Sequence, residues 1–258
     1  MFLRVDNLSK SFGGVTAVSD VSFEARLGQI VAIIGPNGAG KTTLFNLISG
    51  VLSPDEGEIW FNGHQLDRLS PHEVAALGVA RTFQNVQLFG NMTVLENVMM
   101  GHYPHERAGL LRSALGLASK EEMQSRAAAR RQLKRVGLAY KAELPAPSLP
   151  LGEQRLLELA RALAAVPRLL LLDEPTAGLN QVETVRLAAT ISRMPANDRT
   201  VLLVEHDMNL VMSVADWVVV LNYGENLAEG RPEEIQTDPR VIEAYLGEQD
   251  GNGSASVR

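Results

Sequence analysis

The sequence predicts an α/β fold in which helices cover both faces of a mainly parallel sheet. Two observations carry the prediction, and a third locates an exception. Short aliphatic runs recur at Ile30 to Ile34, Glu58 to Phe61, Leu169 to Leu172, Val201 to Val204 and Trp217 to Leu221. Near-continuous apolar runs of this length belong to strands buried on both faces. Helical spacing follows them over Thr42 to Ser49, Gly152 to Ala164, Gln181 to Met194 and Met208 to Val214, which is the alternation that builds an α/β architecture. Between about Asn85 and Pro147 the strand pattern disappears and Ala, Leu, Arg, Glu and Met dominate. That stretch is read as a helical subdomain inserted into the α/β core.

The bulk properties set the limits. The chain has 258 residues, 45% hydrophobic and 21% charged, enough to bury one large core or two small ones. A net charge of −6 argues against nucleic acid as a main partner, because phosphate-backbone binding needs dense Lys and Arg. With no cysteine, disulfides, thiolate-bound zinc and a cysteine nucleophile are all excluded, and a reducing compartment fits. The opening MFLRVDNLSK lacks the apolar core of a signal peptide. No apolar run approaches the roughly 18 residues of a membrane span, so the expectation is a soluble or peripheral protein.

In chain order, the first element with a chemical message is IVAIIGPNGAGKTTL, residues 30 to 44. A buried strand runs into Gly35-Pro36-Asn37-Gly38-Ala39-Gly40-Lys41-Thr42 and then a helix. This is G-x-x-x-x-G-K-[ST] in the strand–loop–helix setting a phosphate-binding loop requires. Glycines let the backbone wrap an anion with no Cβ in the way. Successive amides and the helix N-terminus point at phosphate. Lys41 brings positive charge to the β and γ groups, and the Thr42 hydroxyl is suited to Mg²⁺.

In the middle region, Lys120 to Val136 reads as one long helix with Met123, Ala127, Leu133 and Val136 as its apolar side. Its basic stretch RAAARRQLKR, residues 126 to 135, reads as a solvated face. His102 and His105 have loose metal-like spacing but no third ligand, so they read as surface residues. SLPLGEQRLLELARAL, residues 148 to 163, begins an amphipathic helix with Pro147 and Pro150 crowding its start. LLLLDEPT, residues 169 to 176, ends an apolar strand in two carboxylates. Asp173 is placed to hold Mg²⁺ through water, and Glu174 to polarise an attacking water. VLLVEHD, residues 201 to 207, ends its strand at His206, which is placed to hydrogen-bond a γ-phosphate. Taken alone, a histidine there is more often an ordinary strand-end residue. The closing DGNGSASVR is polar and Gly/Ser-rich, the composition of a disordered tail.

Together these motifs resemble the ATP-binding cassette ATPases, in the family's own order, from about Phe2 to Gly247. The resemblance implies a P-loop NTPase core with a mixed, mainly parallel sheet, an antiparallel β subdomain and the inserted helical subdomain. It also implies a single domain over 1–248, the helical subdomain over roughly 85–160, and a tail over 249–258. ATP and Mg²⁺ are the implied cofactors. Gly35, Asn37, Gly38, Ala39, Gly40, Lys41, Thr42 and Thr43 then hold nucleotide, and Phe12 in SKSFGG matches the aromatic that stacks on adenine. Gln84 in RTFQ matches the glutamine that links Mg²⁺ and the lytic water to the transporter. Glu174, Gln84 and His206 become the catalytic group; Thr42, Gln84 and Asp173 become the metal group.

In this family two cassettes sandwich ATP head to tail, so the signature turn of each serves its partner's nucleotide. Here that turn is Leu149-Pro150-Leu151-Gly152-Glu153, with Leu151, Gly152 and Glu153 the residues matched to nucleotide binding. The commonest form is Leu-Ser-Gly-Gly-Gln. Pro150 departs from it, offering neither hydroxyl nor amide hydrogen. Either this is tolerated drift, or the composite site built on this turn hydrolyses poorly. Asn180, where many cassettes carry Asp, fits both readings.

RTFQNVQLFGNMTVLENVMMG (81 to 101), DEPTAGLN (173 to 180), VEHDMNLVM (204 to 212) and VIEAYLGE (241 to 248) are similar to the branched-chain amino acid uptake ATPases of the LivG type. So is the insertion around 102 to 125. That likeness implies a second ATPase subunit (identical or not), two membrane permeases and a periplasmic or lipid-anchored binding protein, at the cytoplasmic face of the inner membrane. The apolar segment Val86, Leu88, Phe89, Met92, Val94, Leu95, Met99 and Met100 lies where such cassettes receive a permease's coupling helix, though much of it also suits the subdomain core. Lipopolysaccharide-export and urea or short-amide uptake ATPases are the neighbouring transporter readings. A cassette acting on nucleic acid or ribosomes is the alternative outside transport.

Overall fold

The structure is a computed structural model that describes residues 1–82, 84–102, 118–194 and 199–251, with the side chains of 118–121 and 247–251 outside the description. His105, most of the 102–125 insertion and residues 252–258 of the 249–258 tail therefore lie outside the described residues.

A six-stranded sheet forms the centre. Strands β3 (Ile30–Ile34), β6 (Val79–Arg81), β7 (Leu169–Asp173), β8 (Thr200–Val204), β9 (Trp217–Asn222) and β10 (Glu225–Gly230) take the order β10-β9-β3-β8-β7-β6. All neighbours are parallel except β10, which folds back antiparallel on β9. The apolar runs arise because successive side chains serve opposite layers. Leu169 and Leu171 join one core while Leu170 and Leu172 join another, and Leu202 and Val204 alternate in the same way with Val201 and Leu203. With no solvated face, there is no alternation for the sequence to display.

A second, four-stranded antiparallel sheet packs on the first of these cores. It contains β1 (Leu3–Phe12), β2 (Val15–Ala25), β4 (Glu56–Phe61) and β5 (His64–Gln65), in the order β2-β1-β4-β5. This corrects the grouping of residues 58 to 61 with the parallel strands. β4 pairs antiparallel with β1, and its outer residues Glu56 and Glu58 are exposed while Ile59 and Phe61 are buried. That one-sided burial marks a half-exposed sheet. β1 and β2 were not anticipated individually because their polar alternation hides them among loop-like residues.

Helix α1 (Lys41–Ile48) follows β3, and α2 (Pro71–Ala76) precedes β6. Helices α3 (Val94–His102), α4 (Ala118–Arg135) and α5 (Leu151–Ala164) form a layer sharing one core with the face of the sheet that carries Leu170, Leu172 and Leu203. Helix α6 (Gln181–Ile191) lies between β7 and β8, α7 (Met208–Val214) between β8 and β9, and α8 (Pro232–Gln236) and α9 (Pro239–Gly251) close the chain.

Helix α4 forms, but only the Leu133 and Val136 half of its expected apolar side is buried. Met123 is 65% exposed, whereas Ala129, Leu133 and Val136 are buried together with Ser125 and Gln132. At about 100° per residue, Met123 and Ala127 point between roughly a quarter and a half of a turn away from Leu133 and Val136. The true stripe includes two polar residues, so reading by apolar residues alone placed Met123 and Ala127 on the wrong arc. Arg126 and Arg130 sit on the exposed side, at 3.5 and 2.8 Å from the Glu143 carboxylate. His102 is half-buried rather than on the surface, with Nδ1 3.2 Å from the Ala164 carbonyl. Among the described residues no helix is long and apolar enough to cross a membrane.

Leu170→Ala would open a void between the central sheet and the helical layer. The expected loss is about 2–5 kcal/mol, read as a shift in the urea unfolding midpoint at unchanged slope.

Candidate active site

The carboxyl ends of β3, β7 and β8 bring the candidate residues to one edge of the sheet. The phosphate loop leaves β3 and enters α1 at Gly40, which holds φ +96° and caps the helix without any side-chain hydrogen bond. No capping side chain therefore competes with an anion at this helix start. Two glycines are dictated by packing. A Cβ on Gly35 would stand 2.0 Å from the Leu221 carbonyl oxygen, and one on Gly40 2.3 Å from that of Ala17. Gly38, at φ +79°, faces open space.

Lys41 is buried, and its ammonium donates to the carbonyls of Gly35 and Pro36 at 2.7 Å each. The loop's own oxygens thus hold the charge in the cradle where phosphate oxygens would meet it. Asn37, Gly38 and Thr42 are exposed, Thr43 is half-buried, and Ala39 is buried against the core.

Glu174 follows β7 with φ +44°, a left-handed conformation that costs about 1–3 kcal/mol for a non-glycine residue. Its amide donates to the Val204 carbonyl at 2.9 Å. Both carboxylate oxygens are engaged: Gln84 Nε2 donates to Oε2 at 2.7 Å, and His206 Nε2 lies 2.6 Å from Oε1. Gln84, Glu174 and His206 therefore converge from three different loops on one carboxylate. Such a carboxylate is oriented before any substrate arrives, the preorganisation that general-base work requires.

Several partners were missed by sequence reasoning. Asp173 is buried, and its Oδ2 accepts from Arg81 at 2.8 Å. The same guanidinium donates to Asn46 Oδ1 at 2.7 Å, on α1, and to Ser49 Oγ at 3.1 Å, at its C-terminal cap. Arg81 thus fastens the acidic strand end to the phosphate-loop helix. Buried Glu205 accepts from the Thr176 amide and hydroxyl at 2.9 and 2.6 Å, and from the His206 amide at 3.0 Å. The only sequence signal was position: Arg81, Asn46, Thr176 and Glu205 each lie within three residues of a motif residue.

A third group ties α5 to the loop that carries Gln84. Arg155 Nη2 donates to the Gln84 carbonyl at 2.5 Å and to that of Ala177 at 3.3 Å. Glu158 accepts from the Gln87 amide at 2.7 Å, and Arg161 donates to the Gln87 carbonyl. Burial pushes the Glu158 carboxyl above its ordinary value against the pull of Gln87 and both arginines, and burial lowers Arg161. Of the apolar segment between them, Val94 and Leu95 are core, while Phe89 and Met100 are exposed.

The signature turn opens α5 with Pro150 as N-cap and no side-chain capping bond. Leu151 is 40% exposed, Gly152 is buried, and Glu153 pairs with Lys141 at 2.5 Å. The turn is placed by Lys141, Gly178 and Glu183 rather than by the phosphate loop. Asn180 caps α6, its Oδ1 accepting from the Glu183 amide at 3.0 Å. Phe12 ends β1 half-exposed, with the Lys10 ammonium 5.7 Å from its ring centre.

Removing the guanidinium by Arg81→Ala would leave Asp173 buried and uncompensated. A destabilisation of about 3–5 kcal/mol is expected, measured by chemical denaturation against wild type.

Comparison with known proteins agrees with this geometry. Residues 18–177 match the ABC transporter family model, and residues 225–251 match that of the branched-chain amino acid ATP-binding cassette transporters. The chain is 45% identical to the high-affinity branched-chain amino acid transport ATP-binding protein LivG of Salmonella typhimurium, over 95% of this chain and 98% of the relative. A nucleotide-free ATP-binding cassette from an ABC transporter superposes with a TM-score of 0.83 at 33% identity, covering 95% of this chain and 98% of that one. A dimeric cassette in a post-hydrolysis state, bound to ADP and Pi, superposes with a TM-score of 0.76 at 27% identity, covering 90% and 99%. On the family match, the identity to a curated relative along nearly its whole length and the shared fold, the chain belongs to the ATP-binding ATPases of the ABC transporter family.

Proposed function

We propose that this chain is the ATP-hydrolysing subunit that powers uptake of branched-chain amino acids, bound at the cytoplasmic face of a membrane through permease subunits. The observation that carries the catalytic part is the Glu174 carboxylate held between Gln84 and His206, at the same sheet edge as the phosphate loop. The substrate class rests on the relatives' names and on the C-terminal family match. Two permeases, a binding protein outside the membrane and a second cassette, identical or separate, complete the proposed assembly. Nucleic acid has no place in it.

In this reading residues 1–248 act as one cassette. Asn37 to Thr43 and Gly35 hold the ATP phosphates, and Phe12 stacks on the adenine. Lys41 leaves the Gly35 and Pro36 carbonyls for the β and γ groups. The residues present suit Mg²⁺: Thr42 offers a hydroxyl, Asp173 a carboxylate, and Gln84 an amide oxygen, hard oxygen donors that leave room for phosphate oxygens. Among the described residues no group of three or more His, Cys, Asp or Glu is assembled to hold a metal, so the cation would enter with the nucleotide. When bound, it would neutralise charge on the phosphates.

Glu174 takes the proton of the attacking water. Gln84 and His206 keep it aimed, and one of them gives up its hold on a Glu174 oxygen. That oxygen can then accept the water's proton as the water attacks the γ-phosphorus and the bond to the β–γ bridging oxygen breaks, releasing ADP. Because Gln84 also leads into the exposed Phe89 and Met100, a permease seated there would act on the catalytic carboxylate through a short covalent path. Pairing with a second cassette brings that cassette's signature to this ATP and this chain's Leu151, Gly152 and Glu153 to the other. Pro150 makes the second of these composite sites the weaker.

Glu174→Gln should leave ATP binding nearly intact while slowing turnover by orders of magnitude, whereas Lys41→Ala should weaken ATP binding itself. Equilibrium binding and single-turnover hydrolysis, run on the assembled transporter, separate the two. Normal turnover in the first variant would remove Glu174 from its role. The substrate class is tested by reconstituting the transporter with its binding protein. Leucine or valine should stimulate ATP hydrolysis and lysine or urea should not; stimulation by urea alone would assign the chain to amide uptake.

A further inference from the structure

Gly152, the signature glycine whose amide is needed by a phosphate, is buried rather than presented. What covers it is an anion. A Cβ built on Gly152 would stand 2.6 Å from Glu183 Oε1 and 2.8 Å from the carboxylate carbon. In a helix the Cα–Cβ direction tilts toward the N-terminus. The carboxylate therefore stands against the Gly152 Cα within the first turn of α5, where it sets a negative charge beside the helix N-terminus. Beside it, the Leu151 side chain reaches Gly178, where a Cβ would stand 3.1 Å from its Cδ2.

Glu183 has a second attachment. Its Oε2 accepts from the Asn180 amide at 3.1 Å while Asn180 Oδ1 accepts from the Glu183 amide. This reciprocal pair caps α6 and holds the carboxylate over Gly152. Meanwhile the amides of Glu153 and Gln154 both turn back to the Pro150 carbonyl at 2.9 Å, and Pro150 has no amide hydrogen to add. The turn's capacity for an anion thus falls to Leu151 and Gly152, next to a fixed negative charge.

We propose that Glu183 is a charge gate on the signature turn, a positioning residue that holds Gly152 covered until the γ-phosphate of a paired cassette displaces it. The proposal rests on the head-to-tail pairing argued above. Displacement breaks the Oε2 bond to Asn180, so occupancy of this turn loosens the start of α6. The composite site built on this chain's signature is then weak for two separate reasons, the donors missing at Pro150 and the anion standing at Glu183.

The test uses the assembled transporter with Glu183→Gln. Glutamine keeps the side-chain length and still accepts from the Asn180 amide, so the cap of α6 survives. The ATP concentration for half-maximal hydrolysis should fall about threefold to tenfold, with the thermal midpoint unchanged. The difference from wild type should shrink in 1 M salt, where screening acts over about 3 Å. An unchanged half-saturation at low salt, or a change that salt does not diminish, overturns the gate and leaves Glu183 a helix cap. Leu151→Glu separates this from failure of the pairing itself. A carboxylate on that residue should raise the half-saturating ATP; if it has no effect, the signature turn is not a phosphate site and the gate falls with it. If Leu151→Glu weakens ATP use while Glu183→Gln does not strengthen it, pairing stands and only the gate is lost.

Discussion

Both faces of the six-stranded sheet are covered, and this excludes polar side chains from the interiors of β3, β7 and β8. An unpaired charge there would cost several kcal/mol. Polar chemistry is pushed to the strand ends, and because these strands are parallel, their carboxyl ends lie along one edge. Lys41, Asp173, Glu174 and His206 all leave the sheet there. The arrangement of the site thus follows from burial: the strands stay apolar until they stop, and the next residues face solvent together.

At that edge, buried charge is tolerated only where it is paired. Arg81 meets Asp173, a side chain of α1 and that helix's C-terminal cap. Glu205 is satisfied by Thr176 and by the His206 amide. Glu158 lies between Arg155 and Arg161 and the backbone of Gln87. Removing one member of such a group leaves a desolvated charge, so these contacts are expensive to break and resist independent movement of the loops they join. The loop bearing Gln84 is consequently fastened at one end to the phosphate-loop helix through Arg81 and at the other to the signature helix through Arg155, Glu158 and Arg161.

The signature turn is the place where local chemistry and fold disagree. A helix N-terminus attracts anions, yet here a proline removes donors and a carboxylate from the neighbouring helix covers the glycine. Elsewhere the glycines are explained by close backbone approach, as at Gly35 and Gly40. At Gly152 the close neighbour is a charged side chain, which is able to rotate away.

The sequence by itself determined the parallel core, the phosphate loop and the paired carboxylates of the Asp-Glu strand end. Each is a local pattern: an apolar run, a glycine spacing, a strand stopping in acid. The tertiary structure alone decided what those groups touch. Nothing in RTFQ states that Arg81 reaches Asp173 across 92 positions of chain, or that Gln84 and His206 share one carboxylate. The antiparallel placement of residues 56 to 61 and the buried arc of α4, with Ser125 and Gln132 on its inner side, were likewise decided by packing. Periodicity reports which residues are apolar, while the identity of the facing element is a long-range property that no window of sequence contains. The cover over Gly152 is of the same kind, because Glu183 reads locally as a helix cap and only the packing of α6 on α5 places its charge on the signature turn.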